Sequence, residues 1–497
     1  MTARTSSSQL VVVRTSAGPV RGERRTHGVR FLGIPYAQPP VGPLRFAAPV
    51  PSETWTDVRD ATAYGPTAQR RRLFEVTTIP EPIIPGEGTL NLNVFTPDVA
   101  PDAGCPVLVW IHGGGFLAGS AASPWYDGAA FNRDGVVVVS IGYRLGIEGF
   151  LHLPDAPDNR GVLDWIAALE WVQQNITSFG GDPRKVTIAG QSAGGGAVQT
   201  LLATPAARGL FRAAISVSGA VMQPQGREVA EAVTRLLTTR TGVPATAAAL
   251  ENLSDAGLLA LQDTLTSPDP DQAGPPVLAL APFADGDLIP EPVPDALTSG
   301  DAGAGIPLML GFTAHEFNVI PQPDATASTL RAMLAALGLD DARIRSFLDA
   351  YDGAEPGALQ SQAITDVVFR APGLAIAEAR ARRERPTWLY EFRRPSSATG
   401  FKGMAYHCAD LPFAFDLLDA EGVSAALGDN PPQDLADAMH AAWVAFIHDL
   451  DPGTGWPPYT TPHRKTRIWD TTSHTASDPL RPLRKIWSPT APRQPAE

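Results

Sequence analysis

Cysteine and long apolar runs are both scarce in this chain of 497 residues. Its two cysteines, Cys105 and Cys408, are too few for a disulfide framework and lack the spacing of metal ligands, as is typical of a reducing compartment. No apolar run reaches the about 18 residues that a membrane span needs, and Leu10–Val13 is too short for the core of a secretion signal. We therefore expect a cytoplasmic protein that does not enter a membrane.

Positive charge is also in deficit, with 39 lysine and arginine residues against 52 aspartate and glutamate residues and a formal net charge of −13. A surface of this sign repels phosphate backbones and anionic membranes, so nucleic acid is not an expected partner. Only four of the basic residues are lysines, and Ala, Gly and Pro are abundant, which indicates a GC-rich bacterial genome.

Apolar sequence is plentiful, at 44% of the residues, and enough to bury a large core. Segments in which polar residues do not alternate with apolar ones, such as Val107–Ile111 and Lys185–Ala189, predict strands buried on both faces of an α/β sheet. Three short segments near the start show strand-like alternation and are separated by turn residues, which predicts a small N-terminal antiparallel sheet. These segments are Leu10–Val13, Gly18–Arg21 and Val29–Leu32.

Helical patterns separate and follow these strands. Apolar residues recur at three- and four-residue spacing over Asp164–Phe179, and Leu435–Leu450 is a second long helical segment. Helical insertions are predicted at about 228–265 and 328–383, and the tail 488–497 is expected to be disordered. Because no repeat or low-complexity linker interrupts the chain, we predict one α/β domain over residues 1–497, with a mostly parallel sheet flanked by helices.

The stretch Val186–Gly195 predicts a buried strand that passes through a tight turn into a helix. Within it, Gly190, Ser192 and Gly194 form a Gly-x-Ser-x-Gly pattern. Glycines on both sides leave room for the chain to reverse, so the serine hydroxyl is exposed in a strained turn, as in a nucleophile elbow. A single match also arises by chance, so its meaning depends on the rest of the chain.

Three glycines, Gly113–Gly115, follow the predicted strand Val107–Ile111 and His112. Such a run leaves backbone N–H groups approachable, as an oxyanion hole requires. Alone it would be read as a flexible turn, but two strands before a serine elbow it favours the catalytic interpretation.

A serine that transfers acyl groups also needs an acid and a base, which follow it in that order in α/β-hydrolases. Glu316 lies one short loop after the apolar strand Pro307–Gly311, while Asp285 and Asp287 remain candidates within a turn of their own. For the base, His407 lies just before the apolar segment Leu411–Phe415. The remaining histidines in suitable order lie on a helix or in polar, proline-rich sequence: His440, His448, His463 and His474.

Motifs along nearly the whole chain resemble those of the type-B carboxylesterase/lipase family, which includes bacterial para-nitrobenzyl esterases and the cholinesterases. They include, in the family's order, Trp110–Gly115, Gly190–Gly194, Gly311–Glu316 and Tyr406–Phe415. The resemblance implies an α/β-hydrolase fold and the activity of a serine carboxylesterase. It also implies that Ser192 is the nucleophile, Glu316 the acid and His407 the base.

Further roles follow from the same resemblance. Gly114, Gly115 and Ala193 match the donors of the oxyanion hole, and three polar residues match positions around the catalytic groups: Gln191, Ser218 and Asp410. Two pairs match family ion pairs that brace loops: Arg45–Glu87 and Arg144–Asp164.

The chain also departs from the family pattern. Thr89 stands where secreted members have a cysteine, and Gln191 replaces the glutamate that precedes the serine of cholinesterases. No tryptophan lies between Trp55 and Trp110, so the aromatic platform for a quaternary ammonium is missing. We therefore expect an aliphatic pocket for a neutral ester. Alignment with the family implies that Leu278 and Leu280 lie in the acyl pocket and Val319 and Ile320 near the wall of the gorge, and Phe116 is a further predicted pocket residue.

The expected function is hydrolysis of neutral carboxylic esters of short to medium acyl chain through an acyl-enzyme, with a small-molecule ester as the partner and neither metal nor cofactor. A specialised hydrolase of the same family, acting on a carbamate, an amide, or a toxin or drug ester, uses the same chemistry and remains an alternative. A non-catalytic adhesion homologue, like the neuroligins, would be expected to lack the triad residues that this chain has.

Overall fold

The computed structural model describes residues 9–72, 78–219, 225–266, 278–320 and 322–487. The tail predicted at 488–497 lies outside these ranges. Both regions predicted as helical insertions lie within them.

One mixed sheet contains all thirteen strands of the described residues. Their bounds are β1 Leu10–Arg14, β2 Pro19–Arg25, β3 Gly28–Pro35, β4 Arg59–Asp60, β5 Asn91–Thr96, β6 Cys105–Ile111, β7 Val137–Ile141, β8 Gly181–Gln191, β9 Ala213–Val217, β10 Leu308–Thr313, β11 Thr387–Phe392, β12 Lys465–Trp469 and β13 His474–Ser477. The strand order is β1-β2-β3-β5-β7-β6-β8-β9-β10-β11-β12-β13, with β4 beside β2. The consecutive pairs from β7 to β12 are parallel.

Helices pack against this sheet and extend beyond it. Their bounds are α1 Ala129–Arg133, α2 Gly146–Phe150, α3 Arg160–Asn175, α4 Ala193–Ala203, α5 Arg227–Thr241, α6 Ala247–Leu250, α7 Asp255–Thr266, α8 Val293–Thr298, α9 Ala327–Ala336, α10 Asp341–Ala350, α11 Pro356–Thr365, α12 Ala371–Arg382, α13 Leu411–Ala414, α14 Val423–Leu427, α15 Gln433–Asp449 and α16 Arg481–Trp487. A π-helical turn, Asp366–Arg370, joins α11 to α12. The predicted insertions thus contain α5 to α7 and α9 to α12.

The sheet is buried on both faces, which explains why its strands lack a polar alternation. Along β6, Val109 faces one apolar core, which it shares with residues of α3 and α4. Its neighbour Trp110 faces a second core, which contains residues of α15. Because successive side chains of a strand point to opposite faces, two covered faces require an unbroken apolar run.

Two boundaries differ from the prediction. The first strands are antiparallel, as expected, but they continue the large sheet instead of forming one of their own, because β3 pairs with β5. Helix α3 begins one turn earlier than predicted, at Arg160. Its first turns bury the polar side chains of Arg160 and Asp164, which the apolar pattern does not mark as core positions.

Candidate active site

The predicted site residues follow strands that are neighbours in the sheet. The glycine run follows β6, Ser192 follows β8, Ser218 follows β9 and Glu316 follows β10. These four strands are adjacent and parallel, so their carboxyl ends lie at one edge of the sheet. In open α/β sheets this edge is where ligands bind.

Ser192 occupies a strained turn between β8 and α4. Its φ and ψ are 58° and −124°, and its backbone N–H donates to the carbonyl of Val217 at 2.9 Å. A Cβ on Gly194 would lie 2.0 Å from the Ile111 oxygen, and one on Gly190 would lie 2.4 Å from the Gly194 carbonyl. Both flanking positions therefore require glycine, as the elbow interpretation predicts.

The glycine run lies directly beside Ser192, since a Cβ on Gly113 would be 3.1 Å from the Ser192 Cβ. Gly114 and Gly115 both have positive φ, of 110° and 63°. Within the described ranges their N–H groups donate to no acceptor. Ala193 is the first residue of α4, so its N–H has no partner inside the helix. Three backbone donors at this edge are thus available to a ligand.

Glu316 and His407 form a close pair. The Glu316 Oε2 atom lies 2.5 Å from the His407 Nδ1 atom, and the carboxylate is fully buried. Its other oxygen, Oε1, accepts from the Ser218 hydroxyl at 2.8 Å and from the Thr313 N–H at 2.7 Å. The backbone N–H of His407 also donates to the backbone carbonyl of Glu316 at 2.9 Å, which links the two loops. These contacts fix both the carboxylate and the edge of the imidazole that faces it.

The opposite nitrogen of His407 contacts Gln191 rather than Ser192. The Gln191 side-chain nitrogen lies 3.0 Å from the His407 Nε2 atom. Among the described residues, no hydrogen bond involves the Ser192 hydroxyl. Ser192 and His407 lie at the same edge of the sheet, but Nε2 of the candidate base contacts the residue before the serine and not the serine hydroxyl.

Burial and nearby charge set the protonation of the site. Burial lowers the pKa of His407, but Cys408 and the Glu316 carboxylate outweigh it, and the net pKa is raised. Because burial raises the pKa of the Cys408 thiol, that thiol is neutral near pH 7, and the charge that favours the imidazolium is that of Glu316. Burial and the charge of Glu316 also raise the pKa of Asp410 to about 7.

Two aromatic side chains that the sequence analysis missed hold the imidazole. The rings of Phe317 and Phe369 lie 4.9 Å and 4.8 Å from the His407 ring, measured between centroids. Phe317 directly follows Glu316, so its position could have suggested the contact. Phe369 lies on the π-helical turn of a distant insertion, and no local pattern marks it.

The five predicted pocket residues separate into two groups. Leu278 packs against the apolar cluster of Val368 and Phe369 beside His407, and Phe317 packs there too. Val319 is partly buried, whereas Ile320 is 40% exposed.

Phe116 and Leu280 form the second group, and both side chains lie in the core. The Phe116 side chain is 0% exposed and packs on Phe150 and Trp165, and Leu280 is 1% exposed in the same core. Both side chains are therefore buried in this structure, and their contact with a substrate stays a prediction.

The predicted ion pairs also divide. Arg144 and Asp164 form a fully buried pair with side-chain nitrogen to oxygen distances of 2.9 Å and 2.7 Å, as predicted. Arg45 instead contacts Glu148 at 2.6 Å and Asp255 at 2.9 Å, so the prediction of Glu87 as its partner is wrong. Asp255 begins α7, an element that the family motifs do not include.

The rival acid and bases have structural roles of their own. The Asp285 carboxylate accepts from the N–H groups of Asp287 and Ile289 at 2.9 Å and 3.0 Å, which closes a turn. His440 is buried on α15, where it contacts the Ala414 carbonyl and the Asp134 carboxylate.

No group of three or more His, Cys, Asp or Glu side chains in the described ranges is arranged to hold a metal ion. Among the described helices, none is both long and apolar enough to cross a membrane.

The sheet, the serine turn at its carboxyl edge and the flanking helices define the class as an α/β-hydrolase. A model of the Carboxylesterase family matches residues 9–481, and the chain belongs to that family of carboxylic-ester hydrolases. The para-nitrobenzyl esterase of Bacillus subtilis (strain 168) is 37% identical over 487 residues, which cover 94% of this chain and 96% of that protein.

Other comparisons agree. The phenmedipham hydrolase of Pseudarthrobacter oxydans is 34% identical and covers 89% of this chain, which in turn spans 90% of that hydrolase. A solved PNB esterase structure superposes with a TM-score of 0.81 at 35% identity, covering 96% of this chain and 99% of that one. The predictions of the family, the α/β-hydrolase fold and a serine carboxylesterase activity are thereby confirmed.

Proposed function

We propose that this carboxylesterase hydrolyses neutral esters of short to medium acyl chain through an acyl-enzyme on Ser192. The observation that carries the proposal is the Glu316–His407 pair, 2.5 Å apart, beside a serine in a strained elbow. The carboxylate fixes Nδ1 as the protonated nitrogen, so Nε2 is the basic one. Once Nε2 and the Ser192 hydroxyl meet, the histidine takes the hydroxyl proton as the oxygen attacks the ester carbonyl.

The next steps follow from the groups around the serine. The N–H groups of Gly114, Gly115 and Ala193 stabilise the oxyanion as the tetrahedral intermediate forms. His407 then returns the proton to the leaving alcohol, and an acyl ester remains on Ser192. Water, deprotonated by the same histidine, hydrolyses this ester and restores the enzyme.

The preference for neutral, aliphatic esters rests on the surroundings of the imidazole. Leu278, Phe317 and Phe369 make one side of the site apolar, and the residue before the nucleophile, Gln191, carries no charge. An apolar wall discriminates by roughly 1–3 kcal/mol per methylene, so acyl length should change kcat/KM strongly.

A series of p-nitrophenyl esters from acetate to dodecanoate tests this preference. We expect kcat/KM to be highest for short to medium chains, and choline esters to be poorer substrates than neutral esters of equal length. Equal rates for choline and neutral esters would contradict the proposed preference. Phenmedipham belongs in the panel because one relative is named for its hydrolysis, and faster turnover of phenmedipham than of every simple ester would favour the specialised alternative.

We also propose that the enzyme acts in the cytoplasm of a bacterium. The two free cysteines, the lysine-poor composition and the Bacillus relative support this location. Fractionation of the native host with an antibody to the protein tests it, and recovery in the culture medium would contradict it.

A further inference from the structure

The basic nitrogen of His407 is engaged by Gln191. The two side-chain nitrogens are 3.0 Å apart, and Gln191 is only 1% exposed. Because Nδ1 is held by the Glu316 carboxylate, the neutral imidazole carries its proton there, and Nε2 acts as an acceptor. The contact is therefore a hydrogen bond from the Gln191 amide to Nε2.

That hydrogen bond excludes the one that catalysis needs. A neutral imidazole has a single lone pair at Nε2, so it accepts one good hydrogen bond in the plane of the ring. In the described structure the amide of Gln191 uses this lone pair, and the Ser192 hydroxyl is without a hydrogen-bond partner. The two side chains are adjacent in sequence and compete for the same atom.

The sheet and the glycine run hold Gln191 where its amide meets His407. Gln191 is the last residue of β8 and pairs with Val217 of β9, so its backbone is fixed by the sheet. A Cβ on Gly113 would lie 3.1 Å from the Gln191 side-chain oxygen, so the glycine run closes over the amide. A change of partner at Nε2 thus requires the Gln191 side chain to rotate away from the histidine.

We propose that Gln191 is a positioning residue that caps the Nε2 atom of His407 in the free enzyme, so that Ser192 is activated only after this amide is displaced. The inference rests on the proposed function of Ser192 and His407. Its consequence is that the free enzyme reacts more slowly with electrophiles than the triad alone would allow.

Gln191→Met tests the cap, because methionine has a similar length and no donor. A neutral fluorophosphonate is the probe, and the second-order rate constant for labelling Ser192 is the measurement. On the plateau at high pH, we expect the variant to be labelled about two- to tenfold faster than wild type, the range that one net hydrogen bond represents. Gln199→Met is the matched control: Gln199 is a buried glutamine of α4 that bonds Ser216 instead, and labelling should not accelerate.

The pH dependence of labelling separates capping from a merely structural role. A hydrogen bond to neutral imidazole disfavours its protonation, so losing the bond should move the midpoint of the rate profile to higher pH by about 0.5–1 unit. Among the described residues, the other titratable groups that interact with His407 are Glu316, Cys408 and Asp410, and none of them is altered. Gln191→Glu keeps the side-chain shape and adds a negative charge, so its midpoint should lie higher still.

The outcomes distinguish this inference from the function on which it rests. If wild type is labelled at Ser192 but Gln191→Met, with unchanged circular dichroism, shows neither faster labelling nor a shifted midpoint, the capping role is wrong. If wild type is not labelled at Ser192 at all, the proposed function fails instead. Should Gln191→Met not fold, Gln191→Leu, which is also neutral and also lacks a donor, takes its place in both measurements.

Discussion

Glu316→Gln is expected to abolish most activity by imposing the wrong tautomer on His407. In the structure Oε1 of Glu316 accepts from the Thr313 backbone N–H at 2.7 Å and from the Ser218 hydroxyl at 2.8 Å. A backbone N–H cannot reverse its role, so the amide oxygen of a glutamine must face Thr313. The amide NH2 group must then face Nδ1 of His407.

An NH2 group facing Nδ1 requires that nitrogen to be the acceptor, so the neutral imidazole carries its proton on Nε2. Nε2 then cannot accept the serine proton, although the geometry of the site is unchanged. The same tautomer change in a Ser-His-Asp enzyme lowers kcat about 10⁴-fold, which corresponds to about 5.5 kcal/mol of transition-state stabilisation.

The assay is steady-state hydrolysis of p-nitrophenyl acetate, with folding checked by circular dichroism. Glu87→Gln is the matched control, because Glu87 is exposed in the loop before β5, and its kcat should stay within twofold of wild type, about 0.4 kcal/mol. A folded Glu316→Gln enzyme that kept more than a tenth of the wild-type kcat would refute the tautomer argument.

Three other variants test the scaffold. Gly194→Ala should lower kcat/KM at least about 100-fold, because its Cβ would lie 2.0 Å from a backbone oxygen. Gly400→Ala is the control, because its Cβ would meet no atom within 4 Å, and it should have no effect. Equal activities of the two variants would contradict the assignment of the nucleophile elbow. Asp164→Asn should lower the free energy of unfolding by about 3–5 kcal/mol in urea, because it leaves the Arg144 guanidinium buried without its carboxylate, and a loss below about 1 kcal/mol would contradict this. Asp410 has a folded-state pKa of about 7, above its unfolded value, so wild-type stability falls as pH rises from about 4 to 7. Asp410→Asn should therefore have a Tm advantage over wild type that is larger at pH 8 than at pH 5, and an advantage that does not change with pH would show that Asp410 is not protonated in the fold.

The parts of the site that local steric rules dictate could be predicted from the sequence. The glycines around Ser192 are needed because backbone atoms of β6 and α4 approach within a side chain's reach, and that need is visible as a pattern. The strands could also be predicted, because a sheet covered on both faces requires unbroken apolar runs.

The parts that depend on which distant side chains meet could not be predicted. Arg45 pairs with Glu148 and Asp255, which lie 103 and 210 residues away along the chain, and sequence spacing does not encode that choice. Phe369 reaches His407 from a π-helical turn far along the chain. The sequence shows that Gln191 is uncharged, but its hydrogen bond to His407 depends on side-chain torsion angles that the elbow pattern does not determine.

The central claim is that an acyl group is carried by Ser192 during turnover. Rapid acid quenching of the enzyme with p-nitrophenyl acetate, followed by peptide mass spectrometry, measures this directly. The account predicts one acetyl group on the peptide that contains Ser192, lost on longer incubation without substrate and undetectable in Ser192→Ala. Acetylation at another residue, or full turnover by Ser192→Ala, would contradict it.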